Sequence, residues 1–145
     1  MNDAILESRL WKQPRICLNI LLHPVQQEAD TLLSNPRVFA HTIDGTVTSY
    51  CVLMQRKGYL HLMDVFTFPT HRGMGYCKKL LYEVLADTDQ ETYLTCRDNL
   101  ESFYEKMGFQ KAEQMPAYMQ KRVFLINCIS KILPKRPSIV MCKQP

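Results

Sequence analysis

The run Arg72-Gly73-Met74-Gly75-Tyr76-Cys77 carries the most concentrated chemistry in this sequence. It follows an apolar, strand-like stretch from Tyr59 to Phe68 and opens a helix-like one from Tyr76 to Leu85. The first amides of a helix have no partner within it, and the helix dipole places positive charge at the same end. A glycine turn at that point leaves those amides open, so the pattern suits a phosphate or a diphosphate. Glycine fits there because positive φ angles and the close approach of an anion both disfavour a side chain.

The cysteines and the overall charge narrow the remaining chemistry. Cys17, Cys51, Cys77, Cys96, Cys128 and Cys142 are scattered, with no C-x-x-C pair and no histidine at zinc-ligand spacing. No metal site is expected, and the thiols read as reduced packing residues. Cys77, near a helix N-terminus, would carry a lowered thiol pKa but has no evident partner base. The net charge of +4 suits an anionic ligand, yet no basic stripe interleaved with aromatics points to nucleic acid. No apolar run has the length of a membrane span, and the first residues lack the pattern of a signal peptide. The expectation is a cytoplasmic protein.

The elements that must position the glycine turn follow from periodicity. At 145 residues with 46% hydrophobic residues, the chain reads as one domain with its own core. Ile16 to Leu22 is a short apolar run, and Val25 to Ser34 reads as a helix with Ala29, Leu32 and Leu33 on one side. Val38 to Ile43 and Thr46 to Gln55 read as strands joined by Asp44-Gly45, a two-residue hairpin turn. Tyr59 to Phe68 continues the meander. The helix after the turn places Cys77, Leu80, Leu81, Val84 and Leu85 on one face. Glu91 to Thr95 reads as a strand, and Asp98 or Asn99 can cap a helix that Gly108 ends. Ala117 to Phe124 is expected to be one more strand, and the tail from Leu125 carries no clear assignment. This order describes a mixed α/β (α+β) domain with a central, mostly antiparallel twisted sheet flanked by helices.

Two runs, in order, resemble a known family. Phe68-Pro69-Thr70-His71-Arg72-Gly73-Met74-Gly75 resembles the acyl-CoA-binding signature of the GNAT superfamily of N-acetyltransferases, R/Q-x-x-G-x-G/A. Asn99-Leu100-Glu101-Ser102-Phe103-Tyr104-Glu105-Lys106-Met107-Gly108-Phe109 resembles its second signature, N…-Y-E-K-L-G-F. The similarity spans residues 36–124 and leaves 125–145 as a C-terminal extension. Cys77 stands where the family usually has Gly or Ala, and Asn99 lies nearer to Tyr104 than in many members.

The resemblance implies a GNAT-like fold and acetyl-CoA as co-substrate. The amides of Gly73, Met74, Gly75, Tyr76 and Cys77 would hold the diphosphate, with Arg72 adding charge. Val65, Phe66 and Thr67 would pair with the pantetheine arm as an added strand does, and the Val65 N–H would polarise the thioester carbonyl. Asn99 would contact the cofactor or only cap its helix. His61, eleven positions before Arg72, occupies the family's base position, with Asp64 in reserve if a bulge turns it. Tyr104 would protonate the departing thiolate. The acceptor is a primary amine on a small molecule, peptide or protein. The rival to this enzyme is a CoA-binding regulatory or interaction module without turnover. A homodimer is open, and the sequence names no acceptor.

Overall fold

The computed structural model describes residues 1–21, 36–132 and 137–145. Contacts divide the chain into two compact units, Met1–Thr88 and Asp89–Pro145.

The first unit is an antiparallel meander of β1 (Asp3–Arg9), β2 (Arg37–Ile43), β3 (Thr46–Arg56) and β4 (Tyr59–Thr67), paired in that order. Its hairpin turn is the one expected, with Asp44 at φ 47° and Gly45 at φ 77°. Two positive φ values define the turn whose twist matches its flanking strands. β1 was not foreseen. None of its residues is buried, so it lacks the alternation by which a half-buried strand is recognised. Helix α1 (Pro14–Leu21) turns the apolar run at Ile16 into a helix, after a 3-10 turn at Leu10–Lys12. The helix expected over Val25–Ser34 lies outside the described residues.

Residues directly opposite on neighbouring strands share a face. The pairs Val38–Val52, Ala40–Tyr50 and Val52–Met63 therefore line one face, where Leu10, Ile16 and Met54 join them in a buried cluster. Helix α2 (Tyr76–Ala86) contacts β2, β3 and β4 and buries Leu80, Leu81 and Leu85, as its apolar spacing required.

The second unit contains β5 (Thr92–Arg97), a 3-10 turn at Asp98–Leu100, α3 (Glu101–Glu105), β6 (Gln110–Lys111), α4 (Ala117–Ile132) and β7 (Ser138–Lys143). β7 pairs antiparallel with both β5 and β6. Gly108, at φ 87°, ends the turn after α3, and its N–H donates to the Glu105 carbonyl. The N-cap position of the 3-10 turn is Arg97 and that of α3 is Leu100, and neither makes a side-chain cap bond.

The strand expected over Ala117–Phe124 is a correction: this segment is the first half of α4. Met119 is fully buried, and Arg122, Val123 and Ile126 are partly buried on the same side, at helical spacing. The exposed Phe124 and Leu125 mimic a strand's apolar content without its burial. The Asn127 amide ties α4 to β7, donating to the Ser138 carbonyl at 3.0 Å and accepting from the Ser138 N–H at 2.8 Å.

Candidate active site

The glycine turn has the backbone that its residues require. Gly73 has φ 77°, and Gly75, at φ 81° and ψ 0°, stands at the N-cap of α2. The Lys79 N–H makes the first ladder bond, to the Gly75 carbonyl at 3.0 Å. The amides of Tyr76, Cys77 and Lys78 thus precede the ladder and have no intrahelical acceptor. Residues 72–75 are exposed, and a Cβ built on Gly73 or Gly75 meets nothing within 4 Å. Open amides, a helix N-terminus and free space fit an anion's oxygens.

Arg72 anchors this turn. Its Nε donates to the Thr67 carbonyl at 3.2 Å, and its guanidinium lies 5.8 Å from the Phe66 ring centroid. The Thr67 carbonyl is therefore engaged within the chain. Cys77 corrects an expectation. Burial pushes its thiol up, only partly offset by a hydrogen bond with Thr67, so it is no activated thiolate. Burial also raises Cys51, and Cys77 adds to that rise. All six cysteines are free.

β4 breaks its ladder just before the turn. Tyr50 pairs with Phe66, but Val52 pairs with Met63, so Asp64 and Val65 together face Cys51 alone. This is a bulge, with Asp64 held at φ 46°. Asp64, Val65, Phe66 and Thr67 are partly exposed, while Tyr59 to Met63 are buried. His61 pairs with Met54, on the face of the buried cluster, and is 1% exposed.

In the second unit, Tyr104 is buried, with its ring edge-on to Phe103 at 5.1 Å and to Phe109 at 5.8 Å. Asn99 is exposed in the 3-10 turn before α3. Burial raises the Cys96 thiol to about 11, helped by Glu101 and Asp98. Among the described residues, no group of three His, Cys, Asp or Glu side chains is placed to hold a metal ion. No helix among them is long and apolar enough to cross a membrane.

The sequence reading missed one constellation. His41, on β2, is wholly buried; Asp3 of β1 lies beside its Nε2, and Tyr76 stacks on its ring. The signal available was a histidine in an apolar strand, which by itself distinguishes nothing.

A bulged strand leading through a glycine turn into an amide-exposing helix is thus the framework of the first unit. The acetyltransferase (GNAT) family profile matches residues 5–109. The chain belongs to that family and is an acetyltransferase. Solved structures share the fold at low identity. Arabidopsis thaliana Naa50, in complex with the bisubstrate analogue CoA-Ac-MVNAL, is 21% identical with a TM-score of 0.66, covering 100% of both chains. The IAA acetyltransferase from Bacillus cereus is 16% identical with a TM-score of 0.70, over 99% of this chain and 100% of that one. The ribosomal-protein-S18-alanine N-acetyltransferase from Escherichia coli is 16% identical with a TM-score of 0.69, over 98% of this chain and 93% of that one. No curated protein sequence matches significantly.

Proposed function

We propose that this protein transfers the acetyl group of acetyl-CoA to a primary amine by direct attack. The observation that carries the reading is the exposed turn at Gly73–Gly75, with positive φ at both glycines and the unladdered amides of α2 behind it. The structural neighbours support an amine acceptor: one is named for a protein alanine, and another holds a CoA–peptide conjugate.

Acetyl-CoA supplies an activated thioester; this chain's residues bind, polarise and move protons. The amides of residues 73–77 and Arg72 hold the diphosphate. At the bulge Asp64 and Val65 face Cys51 alone, and the pairing with β3 resumes at Phe66 and Thr67. In this reading the Val65 N–H donates to the thioester carbonyl as negative charge develops there. Loss of such a donor costs on the order of 3 kcal/mol in transition-state stabilisation.

An alkyl ammonium, with a pKa near ~10.4, must lose its proton before it attacks. Two side chains of β4 can accept that proton. His61 has the matched basicity but is sealed, whereas Asp64 is partly exposed at the bulge. The proton for the departing thiolate is assigned to the Tyr104 hydroxyl, on the strength of the second signature.

The test is thiol release from acetyl-CoA with small amines, polyamines, aminoglycosides, and lysine or N-terminal peptides. Amine-dependent turnover supports the proposal. Tight CoA binding with no turnover over the whole panel would replace it with a CoA-binding module.

A further inference from the structure

His41 is fully buried in β2, and nothing in the acyl-transfer scheme uses it. One nitrogen of this buried imidazole is hydrogen-bonded, and the other lies at ion-pair distance from a carboxylate without hydrogen-bond geometry. Nδ1 lies 2.6 Å from the Thr48 Oγ1, and Nε2 lies 2.7 Å from the Asp3 Oδ1. Thr48 is the extra residue where the β2–β3 register shifts, since His41 pairs with Ser49 and Thr42 with Val47. The irregularity thus brings a hydroxyl onto the ring.

The ring's face serves a different element. Tyr76, the first residue of α2, stacks on His41 with centroids 4.8 Å apart and planes 19° apart. His71, just before the glycine turn, also approaches Tyr76, at 6.2 Å. The second carboxylate oxygen of Asp3 accepts from the Lys79 Nζ at 2.5 Å. Lys79 is the residue whose amide makes the first ladder bond of α2. Asp3 therefore reaches the first turn of α2 by two routes: through His41 to the Tyr76 ring, and directly to Lys79. The amides of Tyr76, Cys77 and Lys78 lie between these two fixed points.

We infer that His41 is a positioning residue: with Asp3 it fixes the first turn of α2, so that its open amides are pre-organised for the diphosphate of acetyl-CoA. This inference rests on the acetyl-CoA reading above. Pre-organisation removes an ordering cost that binding would otherwise carry. The diphosphate does not react, so its grip is the same before and at the transition state. Loosening the turn should therefore raise KM for acetyl-CoA and leave kcat nearly unchanged.

The experiment compares wild type, His41→Leu, Tyr76→Leu, Asp3→Asn and His41→Leu/Tyr76→Leu. It measures kcat, KM for acetyl-CoA, thermal unfolding, and the Kd of CoA by calorimetry. His41→Leu and Asp3→Asn should each raise KM about three- to ten-fold with kcat within about two-fold, and Kd should move in the same ratio. The double variant should be no weaker than the worse of its two single changes, because both remove one stacked pair. Asp3 is exposed, so Asp3→Asn keeps the test alive if His41→Leu does not fold. Folded variants with wild-type KM and Kd, or with a lower kcat at unchanged KM, overturn the inference alone. A wild-type protein that does not bind CoA overturns the acetyl-CoA reading and this inference with it.

Discussion

Gly75→Ala separates the backbone role of the glycine turn from its role in binding, because the fold supplies a matched control. Gly75 has φ 81° and Gly45, in the β2–β3 hairpin, has φ 77°. A Cβ at either position meets no heavy atom within 4 Å, so sterics add nothing to the folded-state cost. Left-handed backbone costs a residue with a Cβ about 1–2 kcal/mol, and the smaller unfolded-state entropy of Ala offsets about 0.4–1 kcal/mol. Each variant should therefore lose about 1 kcal/mol, or about 4 °C in Tm for a chain of this size. Binding then distinguishes them. At Gly75 the methyl group and the displaced amides should forfeit about one charge-assisted hydrogen bond, about 1.5–3 kcal/mol, which is about a 10- to 150-fold rise in KM for acetyl-CoA. At Gly45 the KM should stay at the wild-type value. Thermal unfolding and steady-state kinetics on both variants make the comparison. Equal Tm losses with an unchanged KM at Gly75 would refute the claim that this turn grips the ligand.

Tyr104→Phe keeps the ring contacts to Phe103 and Phe109, so the protein should stay folded while kcat falls about 10²- to 10⁴-fold at unchanged KM; stopped-flow and steady-state thiol release check it, and an unaltered kcat removes Tyr104 from the chemistry. His61→Ala and Asp64→Asn, compared across pH 6–10, assign the base: the residue that matters lowers kcat/KM most where the amine is charged, and the deficit closes as pH approaches the amine's own pKa. Glu7 is held below its ordinary value of 4.5 by the Arg37 hydrogen bond, against a smaller effect of burial, and the Arg37 charge adds to the lowering. Its stabilisation is present above that ordinary value and is lost as pH falls through the lowered folded one. The pair is about half exposed, so it is worth about a few tenths of a kcal/mol. Urea midpoints of wild type and Arg37→Gln should differ slightly at neutral pH and converge in acid.

What the sequence made legible was the part that local chain chemistry dictates. Asp44-Gly45, Gly73-Met74-Gly75 and Gly108 each demanded a positive φ, and each has one at its glycine. The apolar spacing of α2 fixed its buried face, and the strands between these turns fell within a residue or two of their expected ends. The failures came where burial depends on distant partners. β1 is read from its pairing with β2 and from nothing within its own seven residues. α4 has two apolar sides, one buried around Met119 and one exposed at Phe124, Leu125 and Ile129, so no single stripe stands out. At the site, the two signatures pointed to the turn and to Tyr104. His41 stayed hidden because its meaning lies in Asp3, 38 positions earlier, and in Tyr76, 35 positions later.

Among the described residues, the two non-glycine residues with positive φ show how strain separates scaffold from site. Asp44, at φ 47°, reverses the chain, and the hairpin itself requires that conformation. Asp64, at φ 46°, reverses nothing, because β4 runs on through it to Thr67. Aspartate tolerates left-handed backbone better than most residues, yet such a conformation still costs about 1–3 kcal/mol and persists only where the surroundings impose it. A regular strand would have avoided that cost by pairing residue for residue with β3. Here two residues face Cys51 alone, and the strand beyond them changes from buried to partly exposed. The bulge also re-aims Val65, so that its partner strand no longer dictates the direction of its backbone. An extended ligand arm needs such a stretch: strand-like, partly open, and ending at the glycine turn where its charged end would be held. The strain at Asp64 therefore lies beside Val65, where the proposed reaction needs a backbone donor.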